Sequence, residues 1–137
     1  MRRSSQKVYA GGRYRDARKA IDWLGKAFGF EPLLVVPGTN GESVSHAELR
    51  LGDAIVMLGS AGEGQLAELL SPGGQPAPQS LYVIVDDPDE HYARAKAAGA
   101  KILVELRNED YGSRGYTAQD IEGNVWTFGT YAPELPD

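Results

Sequence analysis

The chain writes the same phrase twice. A strand, an aspartate, a helix, a glycine and a second strand run from Lys7 to Val36 as KVYAGGRYRDARKAIDWLGKAFGFEPLLVV. The phrase returns from Gln79 to Leu106 as QSLYVIVDDPDEHYARAKAAGAKILVEL, about 70 residues further on. Each copy leads to a turn-centred hairpin, ELRLGDAIVML in the first and DIEGNVWTFGTY in the second. A single unit of this kind covers a small sheet with one helix on one face and leaves the other face open. Two units side by side curve that open face into a pocket.

Local signals place the elements. Asp16 is an N-cap for a helix whose Ala17, Ala20, Ile21, Leu24, Ala27 and Phe28 recur at spacings of three and four, and Gly29 ends it. In the second copy Asp87 caps, Pro88 takes the first helical position, Tyr92 and Ala95 share a face, and Gly99 stops the helix. First strands are expected over Val8 to Tyr14 and Leu81 to Val85, and KILVEL reads as a buried strand. Gly52-Asp53 and Glu122-Gly123-Asn124 supply the hairpin turns. A Gly-, Pro- and Ser-rich stretch from Ser60 to Gln79 separates the copies, and its EGQLAELL predicts a short helix between two hinges, a candidate lid.

Composition narrows the function. The 137 residues, 42% of them apolar, suit one domain with a real core. No apolar run reaches the ~18 residues of a spanning helix, and MRRSSQKVYAGG has no apolar stretch behind its basic residues, so a cytoplasmic protein is expected. The absence of cysteine removes disulfides, thiolate nucleophiles and Cys-rich zinc sites together. A net charge of −5 disfavours nucleic acid as a partner. No serine sits in a nucleophile elbow, and neither GGRYRD nor EGQLAE matches a phosphate loop.

The phrases RYRDARKAIDWLGKAFGFE, ELRLGDAIVML, AAGAKI and YGSRGYTAQDIEGNVWTFGTY resemble the vicinal oxygen chelate superfamily, which includes glyoxalase I, extradiol dioxygenases, fosfomycin-inactivating enzymes and bleomycin-resistance proteins. The resemblance covers nearly the whole chain. It implies an α+β fold of two βαβββ modules, with curved mixed sheets and helices on their convex face. Module one would span about 7–59, a linker about 60–79 and module two about 80–132 of a single domain 1–137. Members commonly dimerise and bind ligands in the concave groove, and in the enzymes a divalent metal there chelates the substrate.

That metal's ligands come from four equivalent positions in the family. Counting back from Asp16 and Asp87 places Tyr9 and Ser80 at two of them, and counting four past Gly52 and Gly123 places Val56 and Thr127 at the others. A divalent ion needs converging imidazole or carboxylate donors, which these four side chains do not offer, so no metal and no other cofactor is expected. His46 and Glu48, two apart on a strand, form an alternative half-site. With Leu49 opposite Val56 they fall on the other face from that position, which favours a solvated role, although a one-residue slip reverses the assignment. His91, in the first turn of a helix, reads as solvent-facing.

The same positions suit binding. Tyr9, Gly11 and Arg13 alternate onto one face of the first strand, as Ser80, Tyr82 and Ile84 do in the second module. Tyr9 and Tyr82 would line the groove and stack a flat ligand. Gly11-Gly12 either leave room beneath that ligand or mark a strand irregularity. Trp126 and Phe128 alternate with Thr127 and are assigned to the core. In Arg107 to Thr117, Tyr111 and Arg114 contact ligand or a partner subunit at the groove mouth, or Arg114 pairs with Glu109 or Asp110 in a hydrated turn.

The expectation is therefore a protein that binds a flat or amphipathic compound, such as an aromatic antibiotic or peptide chromophore, in a homodimer groove, with no nucleic acid or membrane partner. The binding residues would be Tyr9, Gly11, Val56, Ser80, Tyr82, Tyr111, Arg114 and Thr127. A metal-dependent lyase, transferase or dioxygenase with a shifted ligand set is the alternative. A structural dimer with an empty groove is the third.

Overall fold

A computed structural model describes all 137 residues. Two four-stranded sheets, one per module, form an α+β fold. Module one runs β1 (Gly11–Tyr14), α1 (Ala17–Phe28), β2 (Glu31–Pro37), β3 (Val44–Leu51) and β4 (Ala54–Ser60). A connector follows, carrying α2 (Gly64–Leu70) and a single 3-10 turn at Pro72–Gly74. Module two runs β5 (Ser80–Ile84), α3 (Pro88–Ala97), β6 (Lys101–Asn108), β7 (Arg114–Gln119) and β8 (Val125–Gly129). Strand order is β1-β4-β3-β2 in one sheet and β5-β8-β7-β6 in the other, and the first strand of each module lies parallel to its last. The repeated phrase in the sequence is thus a repeated βαβββ topology. No helix is long and apolar enough to cross a membrane.

The helices form where the caps direct. Asp16 accepts from the Lys19 amide at 3.1 Å and Asp87 from the Glu90 amide at 3.1 Å, each satisfying a donor the helix leaves free. Gly29, at φ 83°, closes α1 with its N–H on the Gly25 carbonyl, a conformation that costs a side-chain-bearing residue more than glycine. β1 is shorter than the expected strand from Val8, because upstream of Gly11 the Ala10 carbonyl, which accepts from Met57, makes the only backbone bond to β4, and the Gln6 side chain takes the place of the ladder by bonding both the N–H and the carbonyl of Ile55.

One continuous core joins the modules. Phe28 at the end of α1 packs at 4.7 Å from Phe128 and 5.6 Å from Trp126, so a helix of module one fills the sheet of module two. Trp126 and Phe128 are buried, as their alternation with Thr127 implies. Each such ring contributes on the order of 1.5–3 kcal/mol by burial. Polar ties reinforce the junction: Arg94 of α3 donates to the Lys26 and Gly25 carbonyls at 3.0 and 2.8 Å, and Glu122 accepts from the Arg15 and Asp16 amides.

His91 corrects the solvent-facing reading. It shares the inward stripe of α3 with Pro88 and Ala95 and is buried. Its Nε2 lies 2.8 Å from the Phe28 carbonyl, which only accepts, so Nε2 carries the proton and Nδ1 accepts from the Tyr116 hydroxyl at 2.6 Å. Histidine here is a polar clamp between the two helices.

Candidate functional site

Each sheet has an inner face against the helices and an outer face without cover. In module two Leu81, Val83, Tyr116, Ala118, Trp126 and Phe128 point inward. Strand alternation then sends Ser80, Tyr82, Ile84, Thr117 and Thr127 outward. Tyr82 pairs with Thr127, Thr127 with Thr117, and the two threonine hydroxyls bond at 2.9 Å. Above this polar floor stand three exposed rings. Tyr82, Tyr111 and Tyr131 are 44%, 63% and 47% exposed, Tyr131 lies edge-on to both others at 6.5 and 5.6 Å, and the Tyr82 hydroxyl donates to the Tyr131 carbonyl at 2.8 Å. Partial burial, with the neighbouring tyrosines adding to it, raises the Tyr82 pKa and keeps its hydroxyl a donor.

Two hollows meet at Tyr82. A small one of about 90 Å³ brings together Tyr82, Tyr111, Arg114 and Thr127 of the predicted set. A larger cleft of about 630 Å³ runs between the N-terminal segment with β4 and the strand β5, and touches Val8, Ile55, Val56, Ser80, Tyr82 and Ile84. Its size falls in the range of small-molecule sites and its walls are mostly apolar. Tyr9 and Gly11 line neither hollow; Tyr9 instead donates its hydroxyl to Ser4 at 2.7 Å, and Gly11 has open space where a side chain would stand.

Module one differs from the expectation by one residue. Leu49 does pair with Val56, but both belong to the inner core, with Val56 only 7% exposed. The residue that pairs with Gly11 of the first strand, as Thr127 pairs with Tyr82, is Met57. The count from the turn glycine fails because the two hairpins close differently. Leu51 pairs directly with Ala54 across a two-residue turn, whereas Gln119 pairs with Val125 across five residues. His46 and Glu48 therefore lie on the outer face with Met57, bonded to each other at 2.8 Å.

Arg114 also departs from the expectation. Its side chain shares the inner face with Tyr116 and makes a two-bonded pair with Asp89 of α3, at 2.8 and 3.1 Å, rather than reaching Glu109 or Asp110. Glu109 pairs with Arg107 instead. Arg114 still borders the small hollow. Tyr131, which completes the aromatic cluster, lies beyond β8, where no strand alternation flags it; the signal present in the sequence was a third tyrosine just after the last strand.

The donor chemistry does not fit a divalent ion. Nowhere in the chain do three or more His, Asp or Glu side chains gather in a group able to hold one, and His46 with Glu48 is a pair whose members already satisfy each other.

Comparison with known proteins follows this geometry. The family model of the Glyoxalase/Bleomycin resistance protein/Dioxygenase superfamily matches residues 9–128. An uncharacterized protein of Mycobacterium bovis is 34% identical over 124 residues, covering 88% of this chain and 80% of its own. Among solved structures, TioX from Micromonospora sp. ML1 superposes with a TM-score of 0.75 at 34% identity, covering 96% of this chain and 100% of that one. A bleomycin-binding protein complexed with bleomycin superposes with a TM-score of 0.66 at 15% identity, over 93% of this chain and 100% of that one, a likeness of fold.

Proposed function

The chain belongs to the Glyoxalase/Bleomycin resistance protein/Dioxygenase superfamily, and from that premise we propose that it is a metal-independent binding protein that sequesters a flat, aromatic small molecule on its outer sheet surface. The observation that carries the reading is the cluster of Tyr82, Tyr111 and Tyr131 left exposed over the Thr117–Thr127 floor. Solvent-exposed rings held by edge-on contacts with Tyr131 and by a hydroxyl-to-carbonyl bond are pre-arranged for stacking, so little conformational entropy is lost when a ligand arrives. A protein of the same fold is described in complex with bleomycin, which supports a ligand-binding use of such a surface.

The binding unit is a homodimer. Leu34, Val36, Tyr82 and Ile84 all lie exposed on outer sheet faces, and apolar sheet surface of this kind is ordinarily covered. A second protomer supplies the cover and deepens the hollows around Tyr82 into an enclosed groove. The test is a thermal-shift screen of chelator-treated protein against aromatic antibiotics and peptide chromophores, repeated with Tyr82→Ala. A hit that raises the melting temperature of the parent and not of the variant supports the reading. About one tightly held metal per chain, lost in His46→Ala with Glu48→Ala, would instead establish the metal-dependent alternative.

A further inference from the structure

One side chain wedges the N-terminal segment off its sheet. Gly11 pairs with Met57, and the Ala10 carbonyl accepts from the Met57 amide at 2.9 Å, so β1 and β4 form a regular parallel ladder from there on. Upstream, the continuation of such a ladder is defined: the Ile55 N–H would donate to the Val8 carbonyl, and the Ile55 carbonyl would accept from the Ala10 N–H. Neither bond forms. The Gln6 carboxamide occupies the gap, its Oε1 accepting from the Ile55 N–H at 3.0 Å and its Nε2 donating to the Ile55 carbonyl at 2.9 Å and the Val8 carbonyl at 2.7 Å. The Ala10 N–H is left with no partner in the chain. Little else holds the segment in this position. None of residues 1–10 is buried, and Val8 is 83% exposed. Arg2 and Asp53 pair with both side chains open to water, where an ion pair contributes little. The bonds from the Gln6 amide and the Tyr9 hydroxyl to the Ser4 hydroxyl stay within the segment.

We propose that Gln6 is a removable wedge that gives the segment 1–10 two positions. With the wedge in, β1 begins at Gly11; with it withdrawn, Val8 and Ala10 zip onto Ile55 and β1 begins at Val8. The exchange is bond for bond at Ile55, whose N–H and carbonyl are satisfied in both positions. The zipped form adds a partner for the Ala10 N–H and releases the Gln6 amide to water, so no buried polar group is orphaned by the change. Val8 and Ala10 belong to the wall of the cleft of about 630 Å³, and the switch therefore resets the width of that cleft. A ligand that fills the cleft better in one position selects that position, by as much as its affinities for the two differ. The inference goes beyond the binding function proposed above and is tested without a ligand.

The test is amide hydrogen exchange and relaxation dispersion, measured by NMR on the full-length parent and on Gln6→Ala. In the parent, the Ala10 and Ile55 amides are expected to report one shared exchange process on the microsecond-to-millisecond scale. In Gln6→Ala the segment should settle in the zipped position. The Ile55 amide then keeps its protection, now through the Val8 carbonyl, and the Ala10 amide exchanges about tenfold or more slowly than in the parent. New Overhauser contacts between the Val8 and Ile55 backbones should accompany that change. A glutamine that merely ties down a loose end predicts the opposite pattern, with Ile55 exchanging faster in Gln6→Ala and Ala10 unchanged. That pattern overturns the proposal, and so does a parent in which Ala10 and Ile55 share no exchange process.

Discussion

His91 and Asp120 show how much a single buried polar residue contributes here. His91 is neutral because burial, with a smaller push from the charge of Arg94, lowers its pKa, and because its two nitrogens are already committed as donor and acceptor. The unfolded chain, with histidine at its ordinary value of 6.5, takes up a proton before the folded one does. Stability contributed by this group is therefore full above about pH 6.5 and declines as pH falls toward the lower folded value. Chemical denaturation at pH 7.5 and 5.5 should show that decline, and His91→Gln should reduce its slope. Asp120 is the counterpart in the β7–β8 loop. Its buried carboxylate accepts from the Tyr14 hydroxyl at 2.7 Å, Trp126 Nε1 at 3.0 Å and the Glu122 and Asn124 amides, so it ties module one to module two. Asp120→Asn turns an amide toward these donors and is expected to cost about 2–4 kcal/mol, measured by urea unfolding.

At the scale of elements, the two hairpins explain which parts of the molecule were legible from sequence. Caps and stops were, because Asp16, Gly29 and Asp87 act within a turn of their own helix, where local chemistry decides. So was the orientation of β8, since Trp126 and Phe128 flank Thr127 with unmistakable bulk. The face of β4 was not. A two-residue turn at Gly52-Asp53 and a five-residue loop closed by Asp120 displace the strand that follows by one position, and one position exchanges the faces. That is why Val56 entered the core and Met57 came to the outer face. His91 was misread for a different reason: its partners, Phe28 and Tyr116, are 63 and 25 residues away, and no local pattern announces them. Glycine placement is equally specific. A Cβ on Gly115 would lie 2.5 Å from the Phe128 carbonyl and 2.9 Å from Gly129 Cα, so β7 and β8 approach too closely for any side chain there. Gly115→Ala is expected to destabilise by about 1–3 kcal/mol, seen as a lower melting temperature, with the floor beneath Tyr82 disturbed.

For the whole molecule, the two modules are alike in topology and unlike in surface. Their helices merge into one core, while the outer faces diverge, one with Arg13, His46 and Glu48, the other with Tyr82, Tyr111 and Tyr131. A fold that serves enzymes in some relatives thus presents rings and hydroxyls around Tyr82 in place of a converging set of metal donors. If the outer faces meet across a two-fold axis, light scattering at micromolar concentration should give twice the 14.8 kDa of one chain, and a charge placed on the apolar face by Val36→Glu should shift the mass toward the monomer. The most direct measurement is calorimetric titration of the best aromatic ligand into chelator-treated parent and Tyr82→Ala protein. Loss of one stacked ring should weaken binding by about 5- to 150-fold, with the parent's affinity unaffected by metal removal. Equal affinity in a folded Tyr82→Ala variant, or binding that disappears from the parent with the chelator, would contradict the account.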